Sequence, residues 1–221
     1  MNITQPKKVI TIKRLFIMFS LVIVVLIIAV SLDTISNRNN LLPRVGRTFV
    51  DSTGIKWRVL TRDSNGNTLI ITEYAQGAGN SRRVRYNLQN IYSCLSESDI
   101  SLELSRWFTD MLAPELQKIA LPVGNINENQ ITVPRITNAG LSTPENTLFI
   151  LSISEVNKYN RRGRLLRGNQ IHSWWLRSPS NDISYPIAAV KGDTIWEISK
   201  ARADDFLFFR PALWTRNYIS K

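Results

Sequence analysis

Residues 15–32, LFIMFSLVIVVLIIAVSL, run for 18 positions without a charge, a glycine or a proline. No other stretch limits the chain so strongly. A helix that crosses a bilayer needs ~20 apolar residues, with ~17 as a lower bound. Lipid offers no hydrogen bonds, so the backbone must bond internally, and an uninterrupted helix does this. Lys7, Lys8, Lys13 and Arg14 stand before the run. By the positive-inside rule the N-terminus is then cytoplasmic and everything after the run lies outside. A buried core helix or a cleaved signal peptide are the alternatives, and Ala29 and Ser31 are small enough for a cleavage site. The run is nevertheless longer than the ~7–15 residues of a signal core. The expected organisation is a basic tail (1–14), a transmembrane helix (15–32), a polar stalk (33–43) and one extracytoplasmic domain (44–221).

Charge narrows the partners of that outer domain. The chain has 28 Lys and Arg against 17 Asp and Glu, a net charge of +11, and removing the four N-terminal cations still leaves 24 against 17. A cationic body favours lipid headgroups, anionic wall polymers or nucleic acid. Nucleic acid is the least suited, because there is no dense Lys/Arg helix and no aromatic RNA-binding signature. Cys94 is the single cysteine and His172 the single histidine. An internal disulfide and the common zinc sets are thereby excluded, and no metal or cofactor is implied.

Periodicity gives the domain an α+β class with β-hairpins and a few helices. Ile55, Trp57 and Val59 alternate with Lys56 and Arg58, the period of a half-buried strand. Asn65-Gly66 then forms a turn pair before the apolar run Thr68–Thr72, which reads as a hairpin. Leu104, Trp107, Phe108, Met111 and Leu112 recur at helical steps, and Pro114 suits the first turn of a second helix. Trp57 and Trp107 are expected in the core. Residues 122–146 read as a long loop, functional or merely tolerated. Ser152 and Glu155 stand at capping-box spacing, so Glu155 reads as a cap rather than a catalytic acid. A second hairpin turns near Gly192, and FLFFRPALW (206–214) is a last buried strand broken at Pro211. Helices between strand-rich ends make the class α+β.

Two segments carry candidate chemistry. NRRGRLLRGN places Arg161, Arg162, Arg164 and Arg167 together, a solvated loop or an anion-binding lip. HSWWLRSP (172–179) holds the histidine, two tryptophans and Arg177. As a strand it sets Trp174 and Leu176 on one face, Trp175 and Arg177 on the other. One face joins the core; the other is a candidate binding surface for a sugar ring or an anion. The competing reading has Trp175 capping the core and Arg177 bonding buried carbonyls. Arg177 and Arg210 each lie close before a proline, and the two segments are expected to meet. An enzyme would need a Cys94–His172 couple or paired acids such as Asp204 and Asp205, and no G-x-S-x-G elbow surrounds a serine.

The series WRVL, LIIT, FILSISEVNKY, WWLRSP and RPALW, in that order, resembles an uncharacterised bacterial domain family marked by WWLRSPG…VRPALW. The resemblance covers about residues 45–216 and implies a surface or secreted protein. It transfers no catalytic residues. Ser180 stands where that family usually has Gly, and Phe209 where it often has Val. The C-terminal half is more faintly similar to C-type-lectin-like and formylglycine-generating-enzyme-like domains. The cysteine chemistry of the latter has no counterpart in a chain with one cysteine. The expected function is a membrane-anchored extracytoplasmic binding or adhesion module for a glycan or anionic wall polymer. The alternatives are a cell-envelope enzyme and a structural subunit of an envelope complex.

Overall fold

The computed structural model describes residue 23 and residues 42–77, 83–123, 130–134, 144–160, 165, 172–191 and 197–216. Apart from residue 23, the expected membrane segment 15–32 lies outside the described residues, as do its basic flank and the stalk up to residue 41. Among the described residues no helix is long and apolar enough to cross a membrane.

Residues from Leu42 onward make one compact unit of mixed α+β class with two antiparallel sheets. The first sheet holds β1 (Thr48–Val50), β2 (Lys56–Arg62), β3 (Thr68–Thr72), β4 (Ala120–Leu121) and β8 (Ala212–Thr215), in the order β1-β2-β3-β8-β4. The second holds β5 (Trp174–Pro179), β6 (Ile187–Lys191) and β7 (Glu197–Ala201), in that order. Between the strands lie α1 (Asp99–Asp110), α2 (Pro114–Ile119), α3 (Pro144–Thr147) and α4 (Ile153–Tyr159).

The first hairpin follows its period. Trp57 and Val59 are fully buried and the intervening Arg58 is half-buried. β3 sits between β2 and β8, so all five of its side chains are buried. The turn differs from a two-residue Asn65-Gly66 loop. Asp63 and Asn67 close the strands (Asp63 N to Asn67 O, 2.9 Å), which leaves Ser64, Asn65 and Gly66 in the loop. The Asp63 carboxylate holds the extra residue by accepting from the amides of Asn65 and Asn67 at 2.9 and 2.8 Å. Gly66 supplies the positive φ (82°) that such a three-residue loop requires.

Helix α1 buries Ile100, Leu104, Trp107 and Phe108, and Trp107 meets Trp57 edge-on at 5.9 Å. Met111, expected on this face, is 40% exposed because the helix ends at Asp110. Pro114 opens α2 as its first residue.

The last segment joins the two sheets. Val84 and Leu207 exchange both backbone bonds, and the Phe208 carbonyl accepts from the amide of Trp175 at 2.9 Å. After Pro211 the chain enters the first sheet, where Ile70 faces Leu213 and Ile71 faces Ala212. The N-terminal hairpin and the RPALW strand therefore share one sheet. The turn expected at Gly192 lies outside the described residues, but Lys191 pairs with Glu197 across it.

Candidate functional site

The WWLRSP strand is buried on both faces. Trp174, Trp175, Leu176, Arg177 and Ser178 are all enclosed. Of the two readings open for Trp175 and Arg177, the buried one holds and the candidate binding face does not. Trp175 faces Ala189 across β6, a residue small enough to leave room for an indole. Tyr86 packs edge-on to that indole at 5.8 Å, and its Nε1 donates to Val84 O at 2.9 Å. On the other face Trp174 lies under the Arg210 guanidinium, 5.0 Å from its ring centroid. Trp57, Trp107 and Trp174 are all core residues.

Arg177 is a fully buried fork. Its Nη1 donates to Ile150 O and Glu155 Oε2, and its Nη2 to Gln130 O, each at 2.6 Å. Glu155 forms the capping box with Ser152 at the start of α4. Its carboxylate accepts four bonds: Oε1 from the amide and hydroxyl of Thr132 at 2.8 and 2.7 Å, Oε2 from Ser152 N at 2.9 Å and from Arg177. Ser178 Oγ accepts the amide of Ile153 at 2.9 Å, satisfying another orphan donor of the helix. One buried cluster thus fastens β5, the start of α4 and residues 130–132 of the long loop.

Arg210 is a second buried fork. It donates to Thr72 O, Glu73 O and Leu165 O at 2.7–3.1 Å. Burial lowers its pKa to about 9 against the opposite pull of Glu73, so it remains cationic at neutral pH.

The catalytic sets do not assemble. Cys94 Sγ lies 3.2 Å from Ser96 Oγ, and the His172 ring stacks on Phe208 at 4.3 Å. No described hydrogen bond joins Cys94 to His172. Asp204 is bound side-on by Arg202 Nε and Nη2, both at 3.0 Å, and these bonds hold its carboxyl below the ordinary value. Asp205 accepts the Arg202 amide at 3.1 Å. Among the described residues no three acids, histidines or cysteines are placed to hold a metal. Arg161, Arg162, Arg164 and Arg167 lie outside the described residues.

An open groove lies where β5 ends. It encloses about 420 Å³ between Asn90–Tyr92 and the turn Ser180–Ile183, with Pro186 at its side. Ser180 builds the turn: its amide donates to Pro186 O at 2.8 Å, its hydroxyl donates to Tyr185 O at 2.5 Å and accepts from Asp182 N at 3.0 Å. A glycine there has no hydroxyl to do this. Asn90 clamps the turn from the far wall, donating to Ser184 O at 3.0 Å and accepting Ala203 N at 2.8 Å. Asp182 accepts from Ser184 N at 3.0 Å and Lys200 Nζ at 3.3 Å, and both hold its carboxyl below the ordinary value. Ile183, at 93% exposed, stands at the lip. Sequence reasoning passed over this groove; an apolar Ile183 inside the polar turn SNDISYP was its available signal.

A family model described as a domain of unknown function (DUF6273) matches residues 65–216. No curated protein matches the chain. No solved structure matches it either.

Proposed function

The chain belongs to the DUF6273 family, and on that premise we propose that it is a membrane-anchored, extracytoplasmic binding module that takes a glycan in the groove beside the WWLRSP strand. The groove carries the reading. Its walls mix amide, carboxylate and hydroxyl groups with Tyr92, Ile91 and Ile183, and Tyr185 on the same turn is half-exposed. Aromatic and aliphatic faces beside fixed polar groups suit a sugar ring, which is apolar on one side and rimmed with hydroxyls. The turn is held by its own bonds before any ligand arrives, which lowers the ordering cost of binding.

Anchoring belongs to the same proposal and rests on the uncharged run 15–32 behind its basic flank. The test is a glycan array probed with the full chain in detergent micelles, followed by Asn181→Ala and Ile183→Ala. We expect a glycan hit that both variants weaken. No glycan bound by the unaltered chain, or binding unchanged in both variants, refutes the groove reading. Protease added to intact cells tests the topology: residues after the apolar run are digested and the N-terminus is spared.

A further inference from the structure

We propose that Arg83 and Arg85, each stacked on a phenylalanine of the last segment, form a second site, one for a linear phosphate polymer. The proposal goes beyond the groove and stands on other residues. Val84 and Leu207 form an antiparallel bridge, so Arg83 falls beside Phe208 and Arg85 beside Phe206. Val84 is buried, which turns its two neighbours to the opposite, outward side. Both guanidinium groups lie over rings: Arg83 is 5.6 Å from the Phe208 centroid and Arg85 is 5.3 Å from that of Phe206. His172 stacks on the same Phe208 at 4.3 Å and adds a third nitrogen-bearing group.

Three features make this a site rather than two stray charges. Among the described residues no carboxylate lies within ion-pair distance of Arg83 or Arg85; Asp204, which also feels the Arg85 charge, has both oxygens bound by Arg202. Guanidinium carbons 5.6 and 5.3 Å from the ring centroids are within cation–π range, a contact that holds the cation near the ring while its N–H donors stay available to an oxyanion. Alternate residues on a strand are about 7 Å apart, which suits an extended polymer with repeating oxyanions better than one small ion. Single-stranded nucleic acid is the less fitting phosphate polymer. It gains affinity by stacking bases on open aromatic faces, and here each ring already carries a guanidinium.

The experiment uses the full chain in detergent micelles, with long-chain polyphosphate, orthophosphate, oligo-dT and neutral dextran as probes, over a range of salt. Polyphosphate is expected to bind, orthophosphate and dextran weakly or not at all. Arg83→Gln with Arg85→Gln is expected to weaken polyphosphate on the order of tenfold and to reduce the log–log salt slope by about 1.5. Arg44 and Arg47 are exposed arginines elsewhere in the domain. The matched pair Arg44→Gln and Arg47→Gln removes equal charge and should change affinity little. Phe206→Ala keeps both charges but removes the platform of Arg85, and it should weaken binding several-fold. Ile183→Ala in the groove should leave it unchanged, which separates this site from the glycan reading. Equal losses in the two arginine pairs, no effect of Phe206→Ala, or oligo-dT binding tighter than polyphosphate would each overturn the proposal.

Discussion

Among the described residues Arg177 is the only cation bonded to Glu155, and replacing it by alanine leaves that carboxylate inside the protein. Both side chains are fully buried, so water cannot take the place of the guanidinium. Breaking a buried pair from one side costs about 3–5 kcal/mol, because the remaining charge is uncompensated. The carbonyls of Ile150 and Gln130 lose a donor at the same time, each worth about 1–3 kcal/mol if left unpaired. The two losses share one site and do not add in full. The expected fall is about 4–5 kcal/mol, a large fraction of the ~5–15 kcal/mol that holds a typical domain folded. In a domain of this size that is a drop in Tm on the order of 10 °C.

Arg177→Lys should recover little, since one ammonium cannot reach both Gln130 O and the Ile150–Glu155 side as the fork does. The decisive measurement is a double-mutant cycle by urea denaturation with Glu155→Gln. Removing the stranded charge should make the double variant more stable than the sum of its parts by about 1–3 kcal/mol. A fall below about 1 kcal/mol for Arg177→Ala, or strict additivity in the cycle, would refute the claim that the pair is buried and coupled.

Three further outcomes are expected. Trp174→Ala and Trp175→Ala should each cost about 3–5 kcal/mol in thermal melts; a mild Trp175→Ala would show its indole to be exposed after all. Burial, reinforced by the nearby Glu155 carboxylate, raises the Tyr159 phenol to about 12. From about pH 10 upward the unfolded chain releases this proton and the folded chain does not, so stability should fall by about 2–3 kcal/mol by pH 12; Tyr159→Phe should remove that loss in denaturation midpoints. Partial burial acts to raise the Glu115 carboxyl, but the Ser52 hydroxyl and amide outweigh it at 2.7 and 2.8 Å and hold it below its ordinary value. The resulting stabilisation is present at neutral pH and lost as pH falls through the acid range; in a carboxyl NMR titration, Ser52→Ala should move Glu115 upward.

How far the sequence could be read depended on how far apart the partners lie along the chain. The first hairpin, the Pro114 helix start and the Ser152–Glu155 capping box are set within a few residues, and periodicity or spacing exposes them. The covering of β5 is set at long range. A period of two says that Trp174 and Trp175 face opposite ways; it cannot say what lies over the second face. That is decided by Val84, 91 positions away, and by the small Ala189 opposite. Asn90 reaches the groove turn across 94 positions, and Arg210 reaches Thr72 across 138.

An arginine between aromatic residues reads the same whether it grips a ligand or the protein's own backbone. What separates Arg177 from Arg83 is the neighbourhood each meets after folding. At Arg177 a capping glutamate has one oxygen on Thr132 and turns the other, shared with the Ser152 amide, toward the fork. The carbonyls of Ile150 and Gln130 accept its other bonds, so both ends of the fork are taken up inside the protein. At Arg83 the exposed side chain lies over Phe208, with no acid bonded to it among the described residues. The WWLRSP motif therefore builds the domain, and the plainer stretch RVR places two guanidinium groups over the phenylalanines of the last segment. Which guanidinium groups are enclosed and which lie at the surface is decided only in the folded chain.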